Sequence, residues 1–214
     1  MNRTRLAVIP TTGRGVLWDC LDAIRPQVDH VILIAHRCAP NVGGSVSVID
    51  YLSKVPNISL MWNLGLIEAE RRTKGSFDVA VLNDDAIVPS SWFYEVTAAM
   101  HEVGAVAGSR DQSGVLRGTQ TYLTAGPIGL ENRLTGYAFI LDGDARLRLD
   151  EQFQWWYGDD DLDWRAREAG GVVKVPGEPV VHRYPNGTTH GELEKIAGED
   201  RERFKKKWGG KTPH

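Results

Sequence analysis

FDVAVLNDD, residues 77 to 85, joins a mostly apolar run to two adjacent carboxylates. Continuous rather than alternating hydrophobicity over so few residues indicates a strand covered on both faces, as in a parallel sheet packed between helices. Working outward, LAVIP (6 to 10), HVILIA (30 to 35) and ISLMW (58 to 62) have the same character and read as further buried strands. Between them, amphipathic stretches read as helices at about 15–24, 64–74 and 90–102. Strand-helix alternation of this kind predicts an α/β fold with a mixed, mostly parallel central sheet flanked by helices.

Beyond residue 104 the texture changes. GAVAG, GTQTYLT, GYAFIL, GGVVKV and PVVH are short strand-like pieces separated by Gly and Asp turns, with a helix at about 160–169. ELEKIAGEDRERFKKKWGG reads as a charged helix stopping at Gly209 and Gly210. No repeat, low-complexity segment or linker divides the chain, and its 214 residues suit one domain. A hydrophobic fraction of 42%, 25% charged residues and a net charge of −3 are those of a soluble globular protein without a dominant nucleic-acid footprint. Cys20 and Cys38 lack CxxC spacing, so neither a disulfide framework nor a thiolate metal site is expected. The first apolar stretch is too short for a signal peptide, and no run approaches the roughly 20 residues of a membrane span. A cytoplasmic protein without a membrane anchor is the expectation.

In open α/β sheets, ligands bind beyond the carboxyl ends of the strands. That rule selects Thr11, Thr12 and Arg14, then His36 and Arg37, then Asn63 and Gly65, then Asn83, Asp84 and Asp85, all expected along one edge. Paired carboxylates at a strand end suit a hard divalent cation such as Mn²⁺ or Mg²⁺, and they equally suit a polar turn. His182, closing the run EPVVH, can complete such a shell or serve as a hydrogen-bonded structural residue. A different chemistry is suggested by WYGDDDLDWRAREAGG, residues 156 to 171, where Asp159, Asp160, Asp161 and Asp163 follow Trp155 and Trp156. Aromatic faces stack on sugar rings, and a carboxylate can take the proton of a hydroxyl. Packing for the tryptophans and helix capping for the aspartates are the plain alternatives.

Taken in order, VIPTTGR (8 to 14), NLGLIEAERRTKGSFDVAVLNDD (63 to 85), TGYAFILDGDARLRLDEQFQWWYGDDDLDWRAREAGG (135 to 171), VVH (180 to 182) and RFKKKWGG (203 to 210) resemble the family 2 glycosyltransferases, which have the Rossmann-like GT-A fold. The resemblance runs through nearly the whole chain. It implies a single domain with a nucleotide-sugar half at about 1–103, an acceptor half at about 104–191 and a C-terminal helix at about 192–214. It implies an inverting transferase that moves a sugar from a nucleotide-diphosphate sugar, a UDP-sugar first among them, to an acceptor hydroxyl with Mn²⁺ or Mg²⁺. Asp85 and His182 match the metal ligands of its DxD-type site, and Asp84 the carboxylate nearer the ribose. Thr11, Arg14, His36 and Asn63 complete the expected donor side. Asp159, with Asp160 as the other candidate, matches the base of the motif EDxDLxxRxxxxG when Arg165 and Gly170 anchor the alignment. Trp155, Trp156 and Asp161 fall on the acceptor side.

The chain departs from the family pattern twice. Gly158 stands where a Glu is usual, and His36 stands where many relatives carry a nucleobase-reading Asp. The stretch from Arg110 to Gly129 is expected to form an acceptor wall or lid, and the acceptor itself is expected to be a soluble glycan, protein or nucleic acid. The competing expectations are a nucleotidyltransferase on a related scaffold, disfavoured by the lysine-poor PTTGRG, and a non-catalytic nucleotide-sugar or sugar-binding protein.

Overall fold

The computed structural model describes residues 3–184 and 189–213. Ten strands, β1 (Thr4–Thr11), β2 (His30–His36), β3 (Val46–Tyr51), β4 (Phe77–Leu82), β5 (Ala86–Ile87), β6 (Ala107–Arg110), β7 (Gln120–Tyr122), β8 (Ala138–Asp142), β9 (Val172–Val175) and β10 (Val181–His182), alternate with five helices. The helices are α1 (Leu17–Ile24), α2 (Ile58–Arg72), α3 (Trp92–Val103), α4 (Gly158–Ala169) and α5 (Glu192–Lys207). Eight strands form one sheet in the order β3-β2-β1-β4-β8-β6-β9-β7, and β5 pairs with β10 apart from it. From β3 to β4 the pairing is parallel; β8 runs antiparallel to both β4 and β6, and β9 is again parallel to β6. The sheet is therefore mixed and mostly parallel, and through the β4–β8 ladder it carries both the 1–103 and the 104–191 segments.

The unbroken apolar runs have the cause expected of them. Along β1, Ala7 and Ile9 pack on one face with Leu17 and Leu21 of α1 and with Trp92 and Phe93 of α3. Leu6 and Val8 pack on the other with Met61, Trp62 and Leu66 of α2 and Leu162 of α4. Successive strand residues point to opposite faces, so a strand with helices on both sides is apolar at every position.

One expected strand is a helix. ISLMW opens α2 because Asn57 caps it, its side-chain oxygen accepting from Leu60 N at 2.9 Å. The buried Met61, Trp62, Leu66 and Ala69 then recur at helical spacing. The strand that occupies the position is VSVIDY, β3, paired to β2 in the register Val31↔Val46. It lies at the sheet edge and is only partly covered, so it lacks the buried signature of its neighbours. At the other end of the chain, α5 docks through Phe204 and Trp208 onto Phe153 and Trp164.

Candidate functional site

Beyond the carboxyl ends of β1 and β4, four side chains interlock. Thr11 Oγ1 donates to Asp84 Oδ2 at 2.8 Å, Arg14 pairs with Asp84 through Nη2, and the same nitrogen lies 3.3 Å from Asp85 Oδ2. The β5–β10 ladder, with His182 opposite Ala86, carries the histidine to the same place, and its Nε2 sits 3.2 Å from Asp85 Oδ1. That distance is ion-pair range without hydrogen-bond alignment, and Asp85 Oδ1 remains a buried oxygen with no hydrogen-bond partner among the described residues. Burial pushes the Asp85 carboxyl up, but His182 and Arg14 outweigh it and hold it below the usual carboxylate range. A groove of about 460 Å³, lined by Arg14, Gly15, Val16, Asp19, Arg183 and Tyr184, opens beside this cluster. The Arg14 guanidinium lies 5.9 Å from the Tyr184 ring centroid.

The second constellation is built where β8 begins. Asn83 N donates to Tyr137 O at 2.9 Å, tying the end of β4 to the residue just ahead of β8. The Tyr137 ring stacks on His182 with centroids 4.1 Å apart and planes 15° from parallel. Its neighbour Gly136 lies against the Asp159 carboxylate, so closely that a Cβ on residue 136 would overlap Asp159 Oδ2. Two consecutive residues thus touch the His182 ring on one side and the Asp159 carboxylate on the other. Asp159 and Asp160 open α4; Asp160 is paired with Arg133. Burial raises the carboxyl pKa of Asp159, and burial together with the adjacent Asp159 charge pushes Asp160 up to about 8, against the opposing pull of Arg133.

Other expected site residues serve the framework. Asn63 lies inside α2, not after a strand, and its amide bridges the backbone of Leu149 in both directions at 2.9 and 2.8 Å. His36 does end β2, but its Nε2 is bonded to Ser53 O at 3.0 Å and its ring meets Tyr51 edge-on. Asp161 is fully buried and saturated, taking Arg165 Nε at 2.8 Å, Trp208 Nε1 at 3.0 Å and Lys207 Nζ at 2.7 Å, so it pins α5 to α4 and cannot meet an acceptor. Arg110, at the start of the expected acceptor wall, is also buried, held by Glu95 and Pro176 O. Trp155 and Trp156 are held by their backbone amides, which donate to Asp200 Oδ2 at 2.8 and 3.0 Å, and Trp156 is 41% exposed. The Gly at position 158 has a packing cause, since a Cβ there would approach Ser59 Oγ at 2.5 Å.

Sequence reasoning passed over Arg133, Gly136, Tyr137, Lys174 and Asp200. Gly136 and Tyr137 lie in the stretch that carried the family resemblance; a glycine and an aromatic directly before a buried strand, one strand away from a DD turn, were the available signal.

No protein-family model matches the chain, and no curated protein matches it in sequence. Among solved structures it is similar to S. aureus TarS 1-349, with a TM-score of 0.59 at 12% identity, covering 92% of this chain and 65% of that one. The fold is the glycosyltransferase GT-A fold. TarS 1-349 in complex with UDP-GlcNAc is similar at a TM-score of 0.60 and 10% identity, over 94% of this chain and 66% of that one. A further S. aureus TarS structure, at 0.57 and 10% identity, is covered to 43% of its length by 97% of this chain. The chain thus spans about two thirds of TarS 1-349 and under half of the longer TarS structure. Identities this low carry a likeness of fold. Among the described residues no helix is long and apolar enough to cross a membrane.

Proposed function

We propose that the protein is an inverting glycosyltransferase that uses a nucleotide-diphosphate sugar, with UDP-GlcNAc the first donor to test. The observation that carries this reading is the Gly136–Tyr137 step, whose two consecutive residues touch the Asp159 carboxylate and the His182 ring of the Asp85–His182 pair in turn. Single displacement at an anomeric carbon needs a carboxylate that accepts the acceptor proton on one side and positive charge for the departing diphosphate on the other. The similarity to a TarS structure in complex with UDP-GlcNAc supports the donor class.

In this reading Asp159 takes the proton from the acceptor hydroxyl, and its raised pKa makes it a better proton acceptor than an ordinary carboxylate. Arg14, with Thr11 and Asp84 fixing its guanidinium, faces the diphosphate, and the groove walled by Arg183 and Tyr184 receives the nucleotide side. Trp155 and Trp156 offer the acceptor an aromatic surface. The residues fit Mn²⁺ or Mg²⁺: the unpartnered Asp85 Oδ1 and His182 Nε2 are separated by 3.2 Å, and adjacent ligands of an octahedral ion with bonds near 2.1 Å lie about 3 Å apart. Asp85 and His182 would hold the ion, and when bound it would supply charge neutralisation to the leaving diphosphate. Among the described residues no third His, Cys, Asp or Glu joins them, so phosphate and water oxygens would complete the shell.

The test is UDP release from UDP-GlcNAc in the presence of Mn²⁺, together with calorimetric binding of UDP. Asp85→Ala is expected to weaken Mn²⁺-dependent UDP binding by at least about tenfold, whereas Asp159→Asn is expected to abolish turnover and leave UDP binding intact. Unchanged UDP affinity in Asp85→Ala, with no turnover of any common nucleotide sugar by the unmodified protein, overturns the proposal.

A further inference from the structure

Two carboxylates open α4 side by side, Asp159 and Asp160, and only one of them can be the base. On a helix, consecutive side chains point about 100° apart, so the two face different neighbours. Asp160 Oδ1 is taken by Arg133 Nη1. The Asp159 carboxylate lies over Gly136; the Arg133 charge and the backbone amides of residues 159 and 160 favour its ionised form, and among the described residues no side chain donates a hydrogen bond to it. Arg133 is itself buried, and its position is enforced by its own backbone. Lys174 Nζ, rising from β9, donates to Arg133 O at 2.8 Å, to Thr135 Oγ1 at 2.9 Å and to Ser109 Oγ at 3.1 Å. Leu134 N donates to Asp163 Oδ1 at 3.1 Å, and Thr135 N to Ser109 Oγ at 3.1 Å. All three residues from 133 to 135 are thereby pinned through their main chain.

We infer that Arg133 is the positioning residue of this site: it holds Asp160 in an ion pair, reserves Asp159 as the carboxylate that takes the acceptor proton, and is itself set in place by Lys174. The assignment rests on the glycosyltransferase reading for the role of Asp159, but not for the ion pair or its electrostatic effect. Among the described residues, few charged groups surround the two carboxylates. Arg133 faces them from the loop before β8 and Asp163 from α4, while Arg201 of α5 acts on the neighbouring Tyr157. Of these, Arg133 dominates the favourable side, acting on both carboxyls, while Asp163 opposes ionisation of Asp160. Removing the guanidinium therefore makes ionisation of Asp159 harder.

The experiment is the pH profile of UDP release from UDP-GlcNAc by the unmodified protein, Arg133→Ala, Arg133→Lys, Asp160→Asn and Asp159→Asn, paired with titration of ¹³Cγ-labelled aspartates by NMR. Arg133→Ala is expected to move the rising limb to higher pH, with roughly tenfold loss of rate below the limb, recovery of rate above it and an unchanged Kd for UDP. Arg133→Lys is expected to restore most of the limb. Asp160→Asn removes a neighbouring negative charge and moves the limb to lower pH, and Asp159→Asn has no limb. The inference is overturned if Arg133→Ala loses rate equally at all pH values, which is the signature of a merely structural residue, or if Asp160→Asn is the inactive variant and Asp159→Asn the active one. Should UDP-GlcNAc not be turned over by the unmodified protein, the NMR midpoints decide alone. A rise of both aspartate midpoints in Arg133→Ala upholds the ion pair while the donor reading fails, and unchanged midpoints refute the role of Arg133.

Discussion

Gly136 shows how a residue without chemistry of its own can decide whether a site works. Its missing Cβ is the space that the Asp159 carboxylate fills. Adding one methyl in Gly136→Ala forces that carboxylate out of the place it occupies. Displacements of about 1 Å can cost ~100-fold in rate. The expected outcome is a loss of that order in UDP release from UDP-GlcNAc, with UDP affinity and thermal midpoint little changed; a variant with the original rate would show that Asp159 does not work from this position. The carboxylates and His182 were visible in the sequence because charged and polar residues at the ends of apolar runs stand out locally. Gly136 was not, because its importance comes from a neighbour more than twenty positions away whose side chain reaches over it. Asp161 errs the other way: it belongs to the same acidic motif as Asp159, yet two positions along a helix turn it inward, where three donors consume it.

Among the elements, α5 was recognisable from its charge and its Lys-rich end, but not what it does. It brings Trp208 and Lys207 to Asp161, and Asp200 to the backbone of the tryptophan pair. Asp200 is fully buried, with Arg203 as its counter-charge. Asp200→Ala leaves the amides of Trp155 and Trp156 without their acceptor, and the expected cost is on the order of 2–3 kcal/mol in urea denaturation, with UDP affinity unchanged. A loss under about 0.5 kcal/mol would mean that water replaces the carboxylate there. The misread ISLMW belongs to this scale too. A five-residue stretch with four apolar residues fits a buried strand or one helical turn equally well, and the deciding feature was the Asn57 cap one position upstream. The edge strand β3 was missed for the complementary reason: with one side of the strand unpaired and its faces half covered, its hydrophobic pattern is weak.

Over the whole molecule, buried charge is concentrated in one half. Arg110, Asp111, Arg133, Asp163, Arg167 and Lys174 all lie in the segment from β6 to β9 and are nearly inaccessible, whereas in the β1–β4 half the buried carboxylates are Asp78 within β4 and Asp84 and Asp85 beyond its end. Such networks are costly to assemble and costly to break singly. Lys174 makes this measurable. Burial lowers its ammonium pKa to about 8, whereas the unfolded chain holds that proton up to the ordinary lysine value of 10.5. Between those two values the unfolded state binds more protons than the folded state, so this group adds stability as pH rises, on the order of 3 kcal/mol over the window. Lys174→Met lacks the titration and leaves the oxygens of Ser109, Arg133 and Thr135 without their donor. It is expected to be less stable at pH 7.5, and the gap to the unmodified protein is expected to widen at pH 10 in urea denaturation. A gap that narrows would place the lysine proton on the folded side.

By itself the sequence determined the layered α/β architecture and the carboxylates at the strand ends, because burial on both faces leaves continuous apolar runs that are local in the chain and end abruptly at polar residues. Only the tertiary structure decided which of those polar residues meet. His182 reaches Asp85 through the β5–β10 pair, Asp159 packs on Gly136 just ahead of β8, and Asn63, His36 and Asp161 are drawn into the framework. Contacts between distant residues depend on strand order, helix phase and the room a neighbour leaves, and none of these is a property of a short stretch of chain.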